Sequence, residues 1–123
     1  MTKAKELTEK LSHATPDMMP MEEMASFRKK ATGIDNTIFL SPKGGAKHAA
    51  RIKVAIDPPD SISPSSGCIS IDVSDFLVRG TLKVPADLYT KLKKFIDINR
   101  SVIIDYWNYK ISTDELSDKL KKV

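Results

Sequence analysis

Val84-Pro85-Ala86-Asp87-Leu88-Tyr89-Thr90-Lys91-Leu92-Lys93-Lys94-Phe95-Ile96, continuing through Val102 and Ile103 to Tyr106 and Trp107, is the stretch whose reading decides the fold. Pro85 suits a helix start, because the first turn has no use for the N–H that proline lacks. Leu88, Leu92, Phe95 and Ile96 then recur at three- and four-residue spacing, the mark of one apolar helical face. Lys91, Lys93 and Lys94 fall mostly off that face, and Asn99-Arg100-Ser101 reads as either a bend or continuous helix. A second helix is announced by Ser112-x-x-Glu115, a capping-box pattern. Leu116, Leu120 and Val123 supply its apolar side, with Asp114 and Glu115 early and Lys119, Lys121 and Lys122 late, as the helix dipole favours.

Working upstream, the period changes from helical to alternating. Ile69, Ile71 and Val73 share one face and Cys68, Ser70 and Asp72 the other; Ile52, Val54 and Ile56 likewise oppose Arg51 and Lys53. Thr37 to Leu40 and Phe76 to Leu82 complete a set of strands at 37–41, 50–57, 68–74 and 76–82. Short turns between them argue for an antiparallel meander. The chain is therefore predicted to be α+β: an antiparallel sheet of about four strands, with C-terminal helices over 85–108 and 113–122 packed on the Ile/Val face. Asp57 to Gly67, rich in Pro and Ser, reads as an exposed loop whose Asp57 and Asp60 stabilise bends.

A chain of 123 residues has room for one core without disulfides or metal. Residues 26–123 are expected to be that single domain. Residues 1–25 are expected to be a helical extension, with a thin stripe of Ala4, Leu7 and Leu11 and a cluster of Met18, Met19, Met21 and Met24 suited either to padding a core edge or to meeting a partner. No apolar run approaches the roughly 18 residues of a membrane span, and the first residues lack an apolar leader core. A cytoplasmic protein is the expectation, and one cysteine, Cys68, fits a reducing compartment.

The net charge of +4 is unevenly spread. Arg28, Lys29, Lys30, Lys43, Lys47, Arg51 and Lys53 are opposed in their segment only by Asp35, so the rest of the chain is slightly acidic. These residues with His48 form the candidate binding set, since a basic segment on an otherwise balanced chain suits an acidic protein surface or nucleic acid; the other reading is a solvated charged surface. Lys43-Gly44-Gly45 does not match a phosphate-binding loop, which requires Gly-x4-Gly-Lys-Ser/Thr. His13 and His48 have no second ligand at metal spacing, so neither a metal site nor a cofactor is expected. His48 could act as a base on a phosphodiester beside Lys47 or Arg51, which keeps a small ribonuclease in view. Trp107, Tyr106 and Tyr109 form an aromatic cluster that reads as core packing or as a stacking surface. The strand bearing Arg51 and Lys53 carries no aromatic, so the sheet itself lacks an RNA-binding pattern.

Lys47-His48-Ala49-Ala50-Arg51, Gly80-Thr81-Leu82 and the stretch from Leu92 to Trp107 with Asn99-Arg100 and Asp105-Tyr106-Trp107 resemble a family of small uncharacterised bacterial and prophage proteins. Members have a histidine-containing lead-in to a strand, further strands, then Gly-x-Leu and a helix ending in tryptophan. They show Pro-Pro-His-x-His where this chain keeps only His48. The resemblance covers about half the chain. Members often neighbour regulatory or toxin–antitoxin-like genes, which implies regulation or interaction. The expected function is a non-catalytic binding or regulatory protein of mobile-element or phage type, for example an inhibitor of a host nucleic-acid-binding complex. The alternative is a ribonuclease or toxin-like enzyme using His48.

Overall fold

Alternation of isoleucine and valine with polar residues gives each central strand one apolar side, and burying those sides together builds the sheet. The computed structural model describes residues 24–65 and 67–123. The expected N-terminal helix, His13 and the methionines up to Met21 lie outside the described residues; Met24 is half-buried. Strands β1 Ala25–Phe27, β2 Ile38–Leu40, β3 Arg51–Ala55, β4 Cys68–Asp72 and β5 Val78–Arg79 lie side by side in chain order. Every neighbouring pair is antiparallel. The helices are α1 Lys29–Thr32, α2 Ala86–Trp107 and α3 Thr113–Lys119. The chain is thus α+β, with an antiparallel sheet and C-terminal helices.

Two expectations change. The sheet gains β1, whose Ala25 pairs with Leu40, so it begins before residue 26; a three-residue strand is too short to show alternation. The strand expected over 76–82 shrinks to Val78–Arg79, because Phe76 adopts a left-handed φ of 55° and its N–H donates to Asp72 O at 2.9 Å. What read as one strand is mostly turn.

Register sorts the two faces. Ile38, Ile52, Val54, Ile69 and Ile71 are essentially inaccessible and face the helices. Phe39, Lys53 and Ser70 align across the other face. That face is closed by the Pro/Ser loop, since Lys53 Nζ donates to Pro64 O at 3.1 Å and Pro64 is buried. Phe39, only 1% exposed, is therefore core despite facing away from the helices. The loop is tied shut at Gly67, whose carbonyl accepts from the N–H groups of Ile56 and Asp57. At φ +70° a Cβ on Gly67 would collide with the Asp57 carbonyl, so only glycine fits.

Helix α2 runs unbroken through Asn99-Arg100-Ser101. It starts beside the β4–β5 turn, where Phe76 and Tyr89 stack edge to face at 5.0 Å. It passes the end of β4, where Arg100 Nε donates to Val73 O at 3.0 Å, and ends at the β2–β3 connection, where Lys43 N–H donates to Trp107 O at 2.9 Å. The capping box of α3 forms in both directions, and its Ser112 N–H holds the Glu115 carboxyl below the usual glutamate range. A further change is that the helix expected over 113–122 ends at Lys119, because Leu120 turns to extended backbone (ψ 135°); Leu120 to Val123, read as its apolar side and last turn, lie beyond it. Asn99, buried inside α2, accepts from Lys121 N–H at 2.8 Å and donates to Lys121 O at 2.9 Å. Val123 N–H then donates to Thr32 O at 3.0 Å, strapping the C-terminal segment to α1.

Candidate functional site

The connection between β2 and β3 carries Lys43, Lys47 and His48, all exposed. It does not hang free. Its Ala46 N–H closes a turn on Lys43 O at 2.9 Å, and Lys43 N–H bonds the last carbonyl of α2. Gly44 N–H donates to the Tyr109 hydroxyl at 2.7 Å. The His48 ring lies 5.5 Å from the Trp107 ring, tilted by 33°. Helix C-termini carry partial negative charge, and α2 has no basic residue of its own in its last turn. The lysine-bearing loop seats on that end through its backbone, with Lys43 N–H on Trp107 O.

The end of α2 has an unusual composition. Tyr109 N–H donates to Tyr106 O at 3.2 Å and Lys110 N–H to Asp105 O at 2.8 Å, the two bonds of a Schellman ending. Its left-handed residue is normally glycine, yet here it is Tyr109 at φ 62°. Tyr109 is 63% exposed, and Lys110 beside it is exposed as well. Tyr106 and Trp107 are buried, at 4% and 7%. The aromatic cluster thus divides into two core rings and one presented ring. His48 Nδ1 lies 2.7 Å from Ala49 O; a carbonyl can only accept, so Nδ1 is the donor of that contact and Nε2 is left out of it.

The eight residues proposed from sequence do not form one face. Lys43, Lys47 and His48 share the loop on α2. Arg51, at the loop's base, is committed to Asp72 at 2.8 Å, and Arg79 holds the other carboxylate oxygen at 2.9 Å. The hydrogen bond from Arg79, with that from Arg51, keeps the Asp72 carboxyl below the usual aspartate range against the opposing effect of burial. Lys53 is engaged with the Pro64 carbonyl. Arg28, Lys29 and Lys30 follow β1 at the opposite end of the strands, because Phe27 pairs with Ile38 and Ala25 with Leu40; about six residues of extended chain, roughly 20 Å, separate them from Lys43. Lys29 also pairs with Asp35 at 3.1 Å in an exposed bridge, a type of contact worth little.

Tyr109 and Lys110 stood outside the basic binding set, although Tyr109 belonged to the aromatic cluster that read as core packing or a stacking surface. The available signal was Asn108-Tyr109-Lys110 following a helix with no glycine to end it. Asp57 and Asp60 are exposed loop residues, and among the described residues no group of three or more His, Cys, Asp and Glu could hold a metal ion. Burial pushes the Cys68 thiol upward in spite of Lys53 nearby, which disfavours the reactive thiolate. Among the described residues no helix is long and apolar enough to cross a membrane. Comparison with known protein families, characterised proteins and solved structures finds no match.

Proposed function

We propose that this protein is a non-catalytic binding module that engages a polyanionic partner through the loop bearing Lys43, Lys47 and His48. The observation that carries this reading is the anchoring of that loop on the end of α2, at Trp107 O and the Tyr109 hydroxyl. A loop so fixed presents its cations without the ordering cost that a mobile loop incurs on binding. Arg51 and Lys53, with internal partners, contribute less than their charge suggests. A regulatory role of mobile-element or phage type, such as inhibition of a host nucleic-acid-binding complex, is consistent with this chemistry.

A second reading, a ribonuclease with His48 as base, draws on the Nδ1 hydrogen bond, which does not engage Nε2. A base alone is insufficient, because the leaving group also needs an acid and the developing charge a fixed donor. Retention on immobilised heparin separates the readings from a featureless charged surface. Elution should require raised salt, and Lys43→Glu with Lys47→Glu should abolish retention, whereas Lys29→Glu with Lys30→Glu should not. Equal effects from the two pairs would refute a localised site. RNA cleavage that disappears in His48→Ala, with retention preserved, would favour the enzyme.

A further inference from the structure

We infer that the Tyr109 ring is a stacking platform for the bases of single-stranded nucleic acid, with Lys43, Lys47 and Lys110 placed to meet its phosphates. This rests on the polyanion-binding reading and names the partner class. The first support is the position of Tyr109. A left-handed helix ending is the natural place for glycine, and holding a tyrosine there at φ 62° stores strain. The ring does not repay that strain by burial, because Tyr109 is 63% exposed.

The second support is preorganisation. The Tyr109 hydroxyl accepts from Gly44 N–H at 2.7 Å, so the ring is pinned at its polar tip. His48, exposed on the same loop, is seated against Trp107 and offers a second planar group. Rings beside cations are the two elements of single-strand recognition: bases stack on aromatic faces while a positive groove follows the backbone.

The third support is discrimination between partners. An acidic protein surface would use the lysines and the Tyr109 hydroxyl that anchors their loop, but not the exposed face of the ring. In a duplex the base faces are already stacked, and an α-helix or β-ribbon is the usual reader of its major groove; this corner presents a loop and a helix end. Unpaired bases use both the ring and the charges. The aromatic component that β3 lacks is supplied by the residue that ends α2, so the platform lies at the end of the strands, beside the β2–β3 connection, rather than on the sheet face.

The test uses fluorescence anisotropy with labelled oligothymidylate, a duplex of equal length and polyglutamate. Oligothymidylate should bind most tightly. Tyr109→Phe, which keeps the ring and loses only the hydroxyl that anchors Gly44, should bind nearly as the unaltered protein, whereas Tyr109→Asn, which tolerates the left-handed backbone, should weaken binding roughly tenfold to 100-fold with no fall in melting temperature and little change in salt slope. Lys43→Gln with Lys47→Gln should instead flatten the salt slope. In the unaltered protein, oligothymidylate should shift the Tyr109 ring resonances upfield. If the lysine variants weaken binding but Tyr109→Asn does not and the ring resonances do not shift, stacking is overturned and polyanion binding stands. Tighter binding of duplex or polyglutamate also overturns the single-strand assignment. No binding to any of the three at low salt overturns both readings.

Discussion

Two of the places where helix α2 holds the rest of the chain are built oppositely. Midway along it, Asn99 is fully buried and uses its side-chain amide to grip Lys121, and the strap then reaches Thr32 O. At its C-terminal end, the loop of Lys43 to His48 is gripped by Trp107 O and by the exposed Tyr109. Both contacts are hydrogen bonds from α2 to a distant segment. The strap is held through a side chain sunk in the core, Asn99, although its own Lys121 and Lys122 are exposed; the loop is held at exposed backbone and leaves its charges and one ring in solvent. Shielded polar contacts are costly to lose, whereas exposed ones contribute little to folding and stay available to a partner. The strap belongs to stability and the loop to recognition.

The sharpest way to break that division is Trp107, the buried floor beneath the loop. Trp107→Ala should cost about 3–5 kcal/mol, read by urea denaturation. Unchanged stability with lost heparin retention would make Trp107 a recognition residue and dissolve the distinction. Next is the strap itself. Asn99→Ala leaves the Lys121 N–H without its acceptor and the Lys121 carbonyl without its donor, and should cost about 2–4 kcal/mol at roughly 1–3 kcal/mol per buried group left unpaired. Heparin retention of the folded fraction should be unchanged; a parallel loss of retention would show that the strap also shapes the binding end.

Acid tests the joint at the loop's base, where Asp72 holds Arg51 and Arg79. Folding lowers the Asp72 pKa from its ordinary value of 3.8, so its contribution is present above that value and is lost as pH falls through the lower folded one. Asp72→Asn should therefore be less stable than the unaltered protein at neutral pH, with the gap closing in strong acid. A gap that persisted in strong acid would mean that packing, not charge, is what Asp72 supplies. The smallest expected change in stability is at the loop. Lys43→Glu with Lys47→Glu should move it by no more than about 0.5 kcal/mol, judged by thermal melting, even though retention collapses. A larger loss would assign the lysines a structural role at the negative end of α2.

Much of this architecture was readable along the chain. The face of α2 could be taken from Leu88, Leu92, Phe95 and Ile96, all buried, because a 3.6-residue period is a local property of consecutive positions. Ile52, Val54, Ile69 and Ile71 were equally plain. β1 was not, since Ala25-Ser26-Phe27 has neither length nor alternation and becomes a strand by pairing with β2. Phe76 misled because an apolar residue in phase with Val78 looks like strand, and its left-handed backbone is set by the turn around it. Phe39 is only 1% exposed although it aligns with Lys53 on the second face, which no alternation along β2 could show. In the candidate site, Lys43, Lys47 and His48 were visible as charge, but that charge does not reveal which cations are already engaged, as Arg51 and Lys53 are.

The sequence by itself determined the class of the protein, the apolar faces of its central strands and long helix, the Ser112–Glu115 cap and the basic character of residues 28–53, because each follows from neighbours a few positions apart. Only the tertiary structure decided that the basic segment splits between two ends of the sheet, and that Tyr109 and Lys110 join Lys43, Lys47 and His48. Gly44 and Tyr109 are 65 residues apart in the chain. Their meeting depends on strand register and on the path of α2 across the sheet, and both are settled by burial of the whole core at once rather than by any local pattern.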